Sequence, residues 1–429
     1  MKKNISLIVF IFLFTLQLFA QSENVKIANR FLADFNAKRT DSLAAYFDAS
    51  LAGKITPQLM KSTQATIETQ FGVLKTGEAE ELKSGAFHIV RMPILNEPKT
   101  LMVQFSFNNA HKLVGFNFLP IPKSNYNDPA YANKNNYLEE QITVQTGDFT
   151  MPGVLTRPKD KSNFPIVIFV HGSGPGDKDE TAGQTKGFRD LALGLASKGI
   201  ASIRYDKRTK VYQAKSAADG ISVTVKEEVT ADVMSAIKMA GQVAGVDSKN
   251  IYMLGHSLGA MLAPKIAEEN KNLAGIIMMA APARSLGETI KDQFSYLISD
   301  PTALNEQLQL ADQIIHADTI KNQDKELLGA PASYFTNLNG YNQVKTAKAI
   351  KLPILILQGE RDYQVTLKDL DIWKNELGKK KNVTIKSYPK LNHVFTEGEG
   401  KLSTPAEYQI AANIPVYVID DLISWILKK

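Results

Sequence analysis

The spacing of apolar positions changes character several times along the 429 residues, and each change marks an element boundary. Near the start, Val25, Ala28, Leu32 and Phe35 recur at helical spacing, and Thr56-Pro57 opens a second helical stretch towards Gln70. The period then falls to two. Leu101, Val103, Phe105 and Phe107 alternate with Met102, Gln104, Ser106 and Asn108, a turn follows over Asn108 to Lys112, and Val114, Phe116 and Phe118 return. Helices followed by an antiparallel meander predict a small α+β domain over 21–119 with one buried sheet face. Its two histidines, His88 and His111, stand far from other metal-type ligands and read as ordinary surface or sheet residues.

A stretch rich in turn formers, from Pro120 through Pro122 to Pro129, predicts a linker over 120–136. From about Tyr137 to the end at 429, strand and helix alternate. Continuous apolar runs at 165–170, 200–205, 251–254, 275–279 and 354–357 are separated by helical patterns at 187–198, 226–240 and 258–269. Short, wholly apolar strands between amphipathic helices predict a parallel sheet covered on both faces, with any ligand at the carboxyl ends of its strands. Between about 284 and 347 this rhythm breaks, and Leu304, Leu308, Ala311 and Ile315 trace one face of a helix. A helical insertion placed there, between two strands, is expected to lie over the strand ends as a cap.

Composition adds a location and removes several functions. Lys2 and Lys3 precede an apolar run from Ile5 to Phe19 that ends at Ala20 before Gln21. A basic start, an apolar stretch too short for a comfortable span and a small residue at the end predict a signal peptide over 1–20, hence a periplasmic or secreted protein. There is no cysteine, which excludes disulfides, thiolate nucleophiles, cysteine-ligated zinc and a lipidated N-terminus. The formal charge of +6 includes Lys2 and Lys3, and no basic block carries interleaved aromatics, so nucleic acid is not an expected partner. No other apolar stretch approaches membrane-spanning length once the signal is removed. Oligomeric state cannot be read.

The chemistry centres on Gly255-His256-Ser257-Leu258-Gly259, a Gly-x-Ser-x-Gly sequence between an apolar run and a helix rich in small residues. A serine on such a strand-to-helix turn projects its hydroxyl into a cleft. It needs a general base, and six histidines permit elimination. His88 and His111 belong to the front domain, His171 sits beside a glycine-rich loop, His256 adjoins the serine but points the wrong way, and His316 lies in the helical insertion. His393, after the strand-like run 383–388, remains. For the carboxylate, Asp362 just past the run 354–357 is the better candidate, Glu360 the fallback and Asp369 a distant third. Developing negative charge needs donors, and the backbone N–H groups of Ser173, in the loop His171-Gly172-Ser173-Gly174-Pro175-Gly176, and of Leu258 are the expected pair. A phosphate-binding reading of that loop fails, because Asp177 stands at the third glycine position of a dinucleotide fingerprint and Asp179 and Glu180 would repel phosphate. Arg204-Tyr205-Asp206-Lys207-Arg208 is expected to form a self-neutralising ionic cluster near the cleft, with binding of a substrate carboxylate by Lys207 or Arg208 as the alternative.

These residues resemble the α/β-hydrolase superfamily from about Tyr137 to Lys429. Within it the chain looks like the bacterial dienelactone-hydrolase-like and serine-aminopeptidase-like esterases, on the His171 to Glu180 loop and the Arg204 to Arg208 strand end. Thr209 stands where relatives commonly carry glycine. The front domain is similar to the cystatin-like or nuclear-transport-factor-like modules fused before such hydrolases. The resemblance implies an α/β-hydrolase fold with a helical cap and hydrolysis of small or polysaccharide-linked esters through an acyl-enzyme, with Ser257 as nucleophile, His393 as base and Asp362 orienting it. No metal or organic cofactor is required. A peptidase, a thioesterase or acyltransferase, and a non-catalytic binding protein are the competing functions.

Overall fold

The structure, a computed structural model, describes residues 22–51, 54–77, 79–84, 87–96, 101–120, 125–212, 215–217 and 223–428. The expected signal peptide lies outside the described residues. The chain forms two compact units that part between residues 124 and 125.

In the first unit, helix α1 (Glu23–Asn36) starts where the Ser22 hydroxyl accepts the Val25 N–H at 3.1 Å, and α2 (Pro57–Phe71) starts at Thr56 with proline in its first turn. Four strands, β1 (Glu80–Ser84), β2 (Phe87–Ile94), β3 (Leu101–Phe107) and β4 (Leu113–Pro120), form an antiparallel sheet in that order. The core is aromatic: the Phe31 ring lies 4.8 Å from Phe116 and 5.5 Å from Phe105 between centroids. The simple alternation expected for β4 is interrupted. Register shifts between Ser106 and Phe107, so Phe107 pairs with Leu113 and Val114 becomes the extra residue. Leu113 is consequently fully buried and Val114 only half-buried.

The second unit opens with residues 125–136, which lack helix or strand yet are not a free linker. Tyr126 donates its hydroxyl to Asp190 at 2.6 Å and Tyr131 to the Ile414 carbonyl at 2.8 Å, so two large side chains hold this segment onto the unit. Eight strands follow: β5 (Tyr137–Thr146), β6 (Phe149–Pro158), β7 (Phe164–Val170), β8 (Ala201–Tyr205), β9 (Val246–His256), β10 (Gly275–Met279), β11 (Ile354–Gly359) and β12 (Val383–Tyr388). They lie in the order β12-β11-β10-β9-β7-β8-β6-β5; β7 to β12 run parallel, and β5 and β6 form an antiparallel edge.

Along β7, Ile166, Ile168 and Val170 join one core with α4 (Ala231–Ala240) and α5 (Leu258–Glu269). Val167 and Phe169 join a second core with α3 (Gly187–Ser197) and the C-terminal helix Val416–Leu427. Every β7 residue is buried because each face of the sheet has its own helical cover. This is the α/β-hydrolase arrangement. The insertion between β10 and β11 is helical, with α6 (Leu286–Leu297), α7 (Pro301–Ile315), α8 (Ala332–Asn339) and α9 (Gln343–Ala349). The pattern at 226–240 is not one uniform helix: its first turn, Lys226–Thr230, is a wider π-type turn.

Candidate active site

Ser257 stands at the junction of β9 and α5 with φ 50° and ψ −116°, a conformation costly for any residue other than glycine. The turn is that tight because strand and helix meet almost backbone to backbone. A Cβ at Gly255 would come within 2.3 Å of the Gly259 carbonyl oxygen, and one at Gly259 within 2.3 Å of the Val170 oxygen. The Ser257 N–H is spent on the Met279 carbonyl at 3.0 Å, which anchors the elbow to β10. Leu258 opens α5, so its N–H has no partner within the helix.

Asp362 lies in the turn after β11 and is 1% exposed. One oxygen accepts the N–H groups of Gln364 at 2.7 Å and Val365 at 2.9 Å; the other accepts His393 Nδ1 at 2.7 Å and Gln358 Nε2 at 3.2 Å. Four donors satisfy the buried carboxylate, and the contact to Nδ1 fixes the tautomer that leaves Nε2 as a proton acceptor. The His393 loop is held by Asn392, whose Oδ1 accepts the N–H groups of Val394 and Thr396, both at 3.1 Å. Glu360, the fallback acid, instead accepts the Ser387 hydroxyl at 2.7 Å. Asp369 is committed to the Ala283 N–H and the Arg284 N–H and guanidinium.

Ser257, Ser173 and His393 line one cavity of about 270 Å³, with Lys210 and Gln364 at its wall. A smaller recess of about 50 Å³ shares Ser257 and Ser173 and is walled by Leu258, Met261, Leu286 and Phe294. Leu286 and Phe294 belong to α6, so the first helix of the insertion walls the recess beside Ser257. Among the described residues no cluster of His, Asp or Glu is arranged to hold a metal ion.

The loop after β7 is fixed by side chains that sequence reasoning gave no role. The Gly172 N–H donates to Glu180 at 2.8 Å and the Gly174 N–H to Glu228 at 3.1 Å, while the Ser173 N–H between them has no partner among the described residues. Glu180 also meets His256 Nδ1 at 3.1 Å, and His256 Nε2 donates to the His393 carbonyl at 2.8 Å. Burial works against the His256 charge, but Glu180 outweighs it and raises the imidazole above its usual range; Glu180 is held low in turn, against its own burial, by His256. His171 is different: burial lowers it, so it stays neutral, donating Nε2–H to the Asp177 carbonyl at 2.7 Å.

Every cation of the Arg204 to Arg208 segment finds an acid. Arg204 meets Glu139 at 2.6 Å and Asp179 at 3.0 Å, Lys207 meets Glu228 at 2.6 Å, and Arg208 grips Asp232 with two nitrogens. None is left over for a substrate carboxylate. The mixed charges of the segment predict a self-neutralising cluster; the partners are instead acids outside it, Glu139, Asp179, Glu228 and Asp232.

The prolyl oligopeptidase family matches residues 188–408. Esterase EstD of Thermotoga maritima is 42% identical over 319 residues, 74% of this chain and 74% of its own. Among solved structures, Est1E from Butyrivibrio proteoclasticus superposes with a TM-score of 0.47 at 15% identity, covering 67% of this chain and 99% of that one. The Pyrococcus horikoshii acylaminoacyl peptidase gives 0.45 at 14% identity, covering 75% and 52%.

Proposed function

The chain belongs to the prolyl oligopeptidase family of serine hydrolases, and from that footing we propose that it is an exported esterase cleaving small carboxylic esters through an acyl-enzyme. The observation that carries the reading is the 2.7 Å contact from Asp362 to His393 beside a cavity into which Ser257 opens from a strained turn. Ser257 Oγ adds to the ester carbonyl as His393 Nε2 takes its proton, and the carbonyl oxygen becomes an oxyanion facing the N–H groups of Ser173 and Leu258. Collapse expels the alcohol, which takes the proton from His393. Water, deprotonated by His393, then attacks the acyl-serine, and as the acid leaves, Ser257 Oγ takes that proton back from His393. Asp362 keeps the imidazole in the required tautomer and stabilises its cation.

The name of the 42%-identical relative supports esters as substrates. The small recess of about 50 Å³ beside Ser257, where Gln293 and Thr289 stand among the apolar side chains, favours an acyl group of a few carbons, and turnover of p-nitrophenyl esters should fall as the acyl chain lengthens. A second reading, peptidase, is favoured by the family to which residues 188–408 match. Paired assays on p-nitrophenyl acetate and an aminoacyl anilide separate the two, with a fluorophosphonate probe reporting Ser257 directly. Ester turnover and labelling, both abolished in Ser257→Ala, are expected; anilide cleavage without ester turnover would overturn the esterase. Export rests on the Lys2 to Ala20 pattern, and fractionation with the mature N-terminus sequenced at Gln21 is its test.

A further inference from the structure

We infer that the buried cluster Lys207–Glu228–Tyr334 positions the oxyanion-binding loop and ties its geometry to the helical cap. The three side chains are 3%, 1% and 0% exposed. Lys207 Nζ donates to Glu228 Oε1 at 2.6 Å and to the Gly172 carbonyl at 2.8 Å. The same Glu228 oxygen accepts the Gly174 N–H at 3.1 Å, and its other oxygen accepts the Tyr334 hydroxyl at 2.5 Å. Burial beside Glu228 holds the Tyr334 phenol well above its ordinary value, so it remains a neutral donor.

An ammonium and a carboxylate taken wholly out of water are an expensive way to fill space, and apolar residues of similar volume would pack there as well. What these charges do that leucines could not is hold peptide groups. Gly172 is gripped at its carbonyl by Lys207 and at its N–H by Glu180, and Gly174 is gripped at its N–H by Glu228. The peptides on either side of Ser173 are fixed, and its own N–H is the one left to face the cavity it lines. Glu228 reaches this point from the π-type turn Lys226–Thr230, a widened geometry that is uncommon and concentrates at functional sites. Tyr334 comes from cap helix α8, so a hydrogen bond from the cap ends, through one carboxylate, on the loop that meets the oxyanion. The cluster touches no substrate; its members are positioning residues.

The inference rests on Ser173 N–H as an oxyanion donor, and its test keeps the two apart. Tyr334→Phe removes only the hydroxyl, and Glu228→Gln keeps the shape while removing the charge. Both are measured as full-length protein, with active sites titrated by a fluorophosphonate, and kcat per titrated site is compared with KM for p-nitrophenyl acetate. Loss of one oxyanion donor outright lowers turnover about 10²–10³-fold, so a misplaced one should lower kcat per site about 10-fold in Tyr334→Phe and more in Glu228→Gln. KM should stay within about twofold, and a trifluoromethyl ketone transition-state analogue should bind more weakly by the factor lost in kcat. A purely structural role would lower the melting temperature or the titratable fraction and leave kcat per site and analogue affinity unchanged. That result in Tyr334→Phe, or a loss confined to KM, overturns the inference. An inactive, unlabelled wild type removes the esterase reading first and this inference with it; an active wild type beside an unaltered Tyr334→Phe removes the inference alone.

Discussion

The two units bury different things. Among the described residues, the polar side chains buried in the first unit are Asn24, Thr40 and Gln64, all neutral, around a core of phenylalanines. The second unit buries Asp190, Arg204, Lys207, Arg208, Glu228, Asp232, Arg361, Asp362 and Asp369. A charge withdrawn from water costs several kcal/mol even when paired, and burial holds the Asp232 carboxyl above its ordinary value despite the Arg208 fork against it. Stability alone would therefore favour the first unit's solution everywhere. The charges instead collect behind the carboxyl ends of the strands, where loops must be held in one shape without a strand or helix to hold them. The contrast separates a region built to stay folded from one built to place a few atoms.

The sharpest break of that contrast is Asp362→Asn. An amide can present the wrong group to His393 Nδ1, and kcat for p-nitrophenyl acetate should fall about 10³–10⁴-fold with the fold retained; a fall below tenfold would mean that His393 does not depend on this carboxylate. Phe31→Ala should remove about 3–5 kcal/mol from the first unit, read as an earlier transition in urea unfolding followed by probes in each unit. Ester turnover should stay within about twofold, because every residue lining the two cavities belongs to the second unit. Turnover that collapses with the Phe31 core would show that the units are not separable. Asp232→Asn strands the buried Arg208 guanidinium and should cost about 3 kcal/mol, whereas Arg208→Met with Asp232→Leu should be near neutral. A double variant as unstable as the single one would show that these charges do stabilise the unit.

How much could be read from the chain follows the same division. Apolar runs located the central strands where they are buried on both faces: the run 275–279 is β10, and the run 165–170 is β7 less its first residue, whereas the run 251–254 missed the partly exposed first half of β9 (Val246–His256). The elbow was legible because its glycines are demanded by backbone contact, and Asp362 with His393 because both follow strands. Harder to see were features that depend on distance in the chain. Glu228 and Tyr334 are 106 residues apart, and no spacing links them. The π-type turn at 226 carries the apolar period of an ordinary helix, and the bulge at Val114 leaves strict alternation in the sequence while shifting burial to Leu113. Residues 125–136 have the composition of a linker, and it is the distant partners of Tyr126, Asp128, Tyr131 and Asn133 that show otherwise.

The smallest effect concerns His256 and Glu180, which join the loop after β7 to the His393 loop through an ion pair. The groups facing it are the Gly172 N–H, His171, Asp362, and the carbonyl and imidazole of His393, whose ring centroid lies 4.7 Å from that of His256. His256 is raised above its ordinary 6.5, so its share of stability is complete below that value and is lost as pH rises through the raised one. Glu180 is lowered from its ordinary 4.5, so its share is complete above that value and is lost as pH falls through the lowered one. Both shares are present together from about pH 4.5 to 6.5. Glu180→Gln should therefore be less stable than wild type by about 1–2 kcal/mol in that window, with the gap narrowing in alkaline solution as wild-type His256 loses its proton. Thermal melts of the two proteins from pH 5 to 9 measure it. A gap that stays constant across that range would mean that Glu180 acts only through the neutral Gly172 N–H, and that one fewer charge holds the loops of the second unit than its geometry indicates.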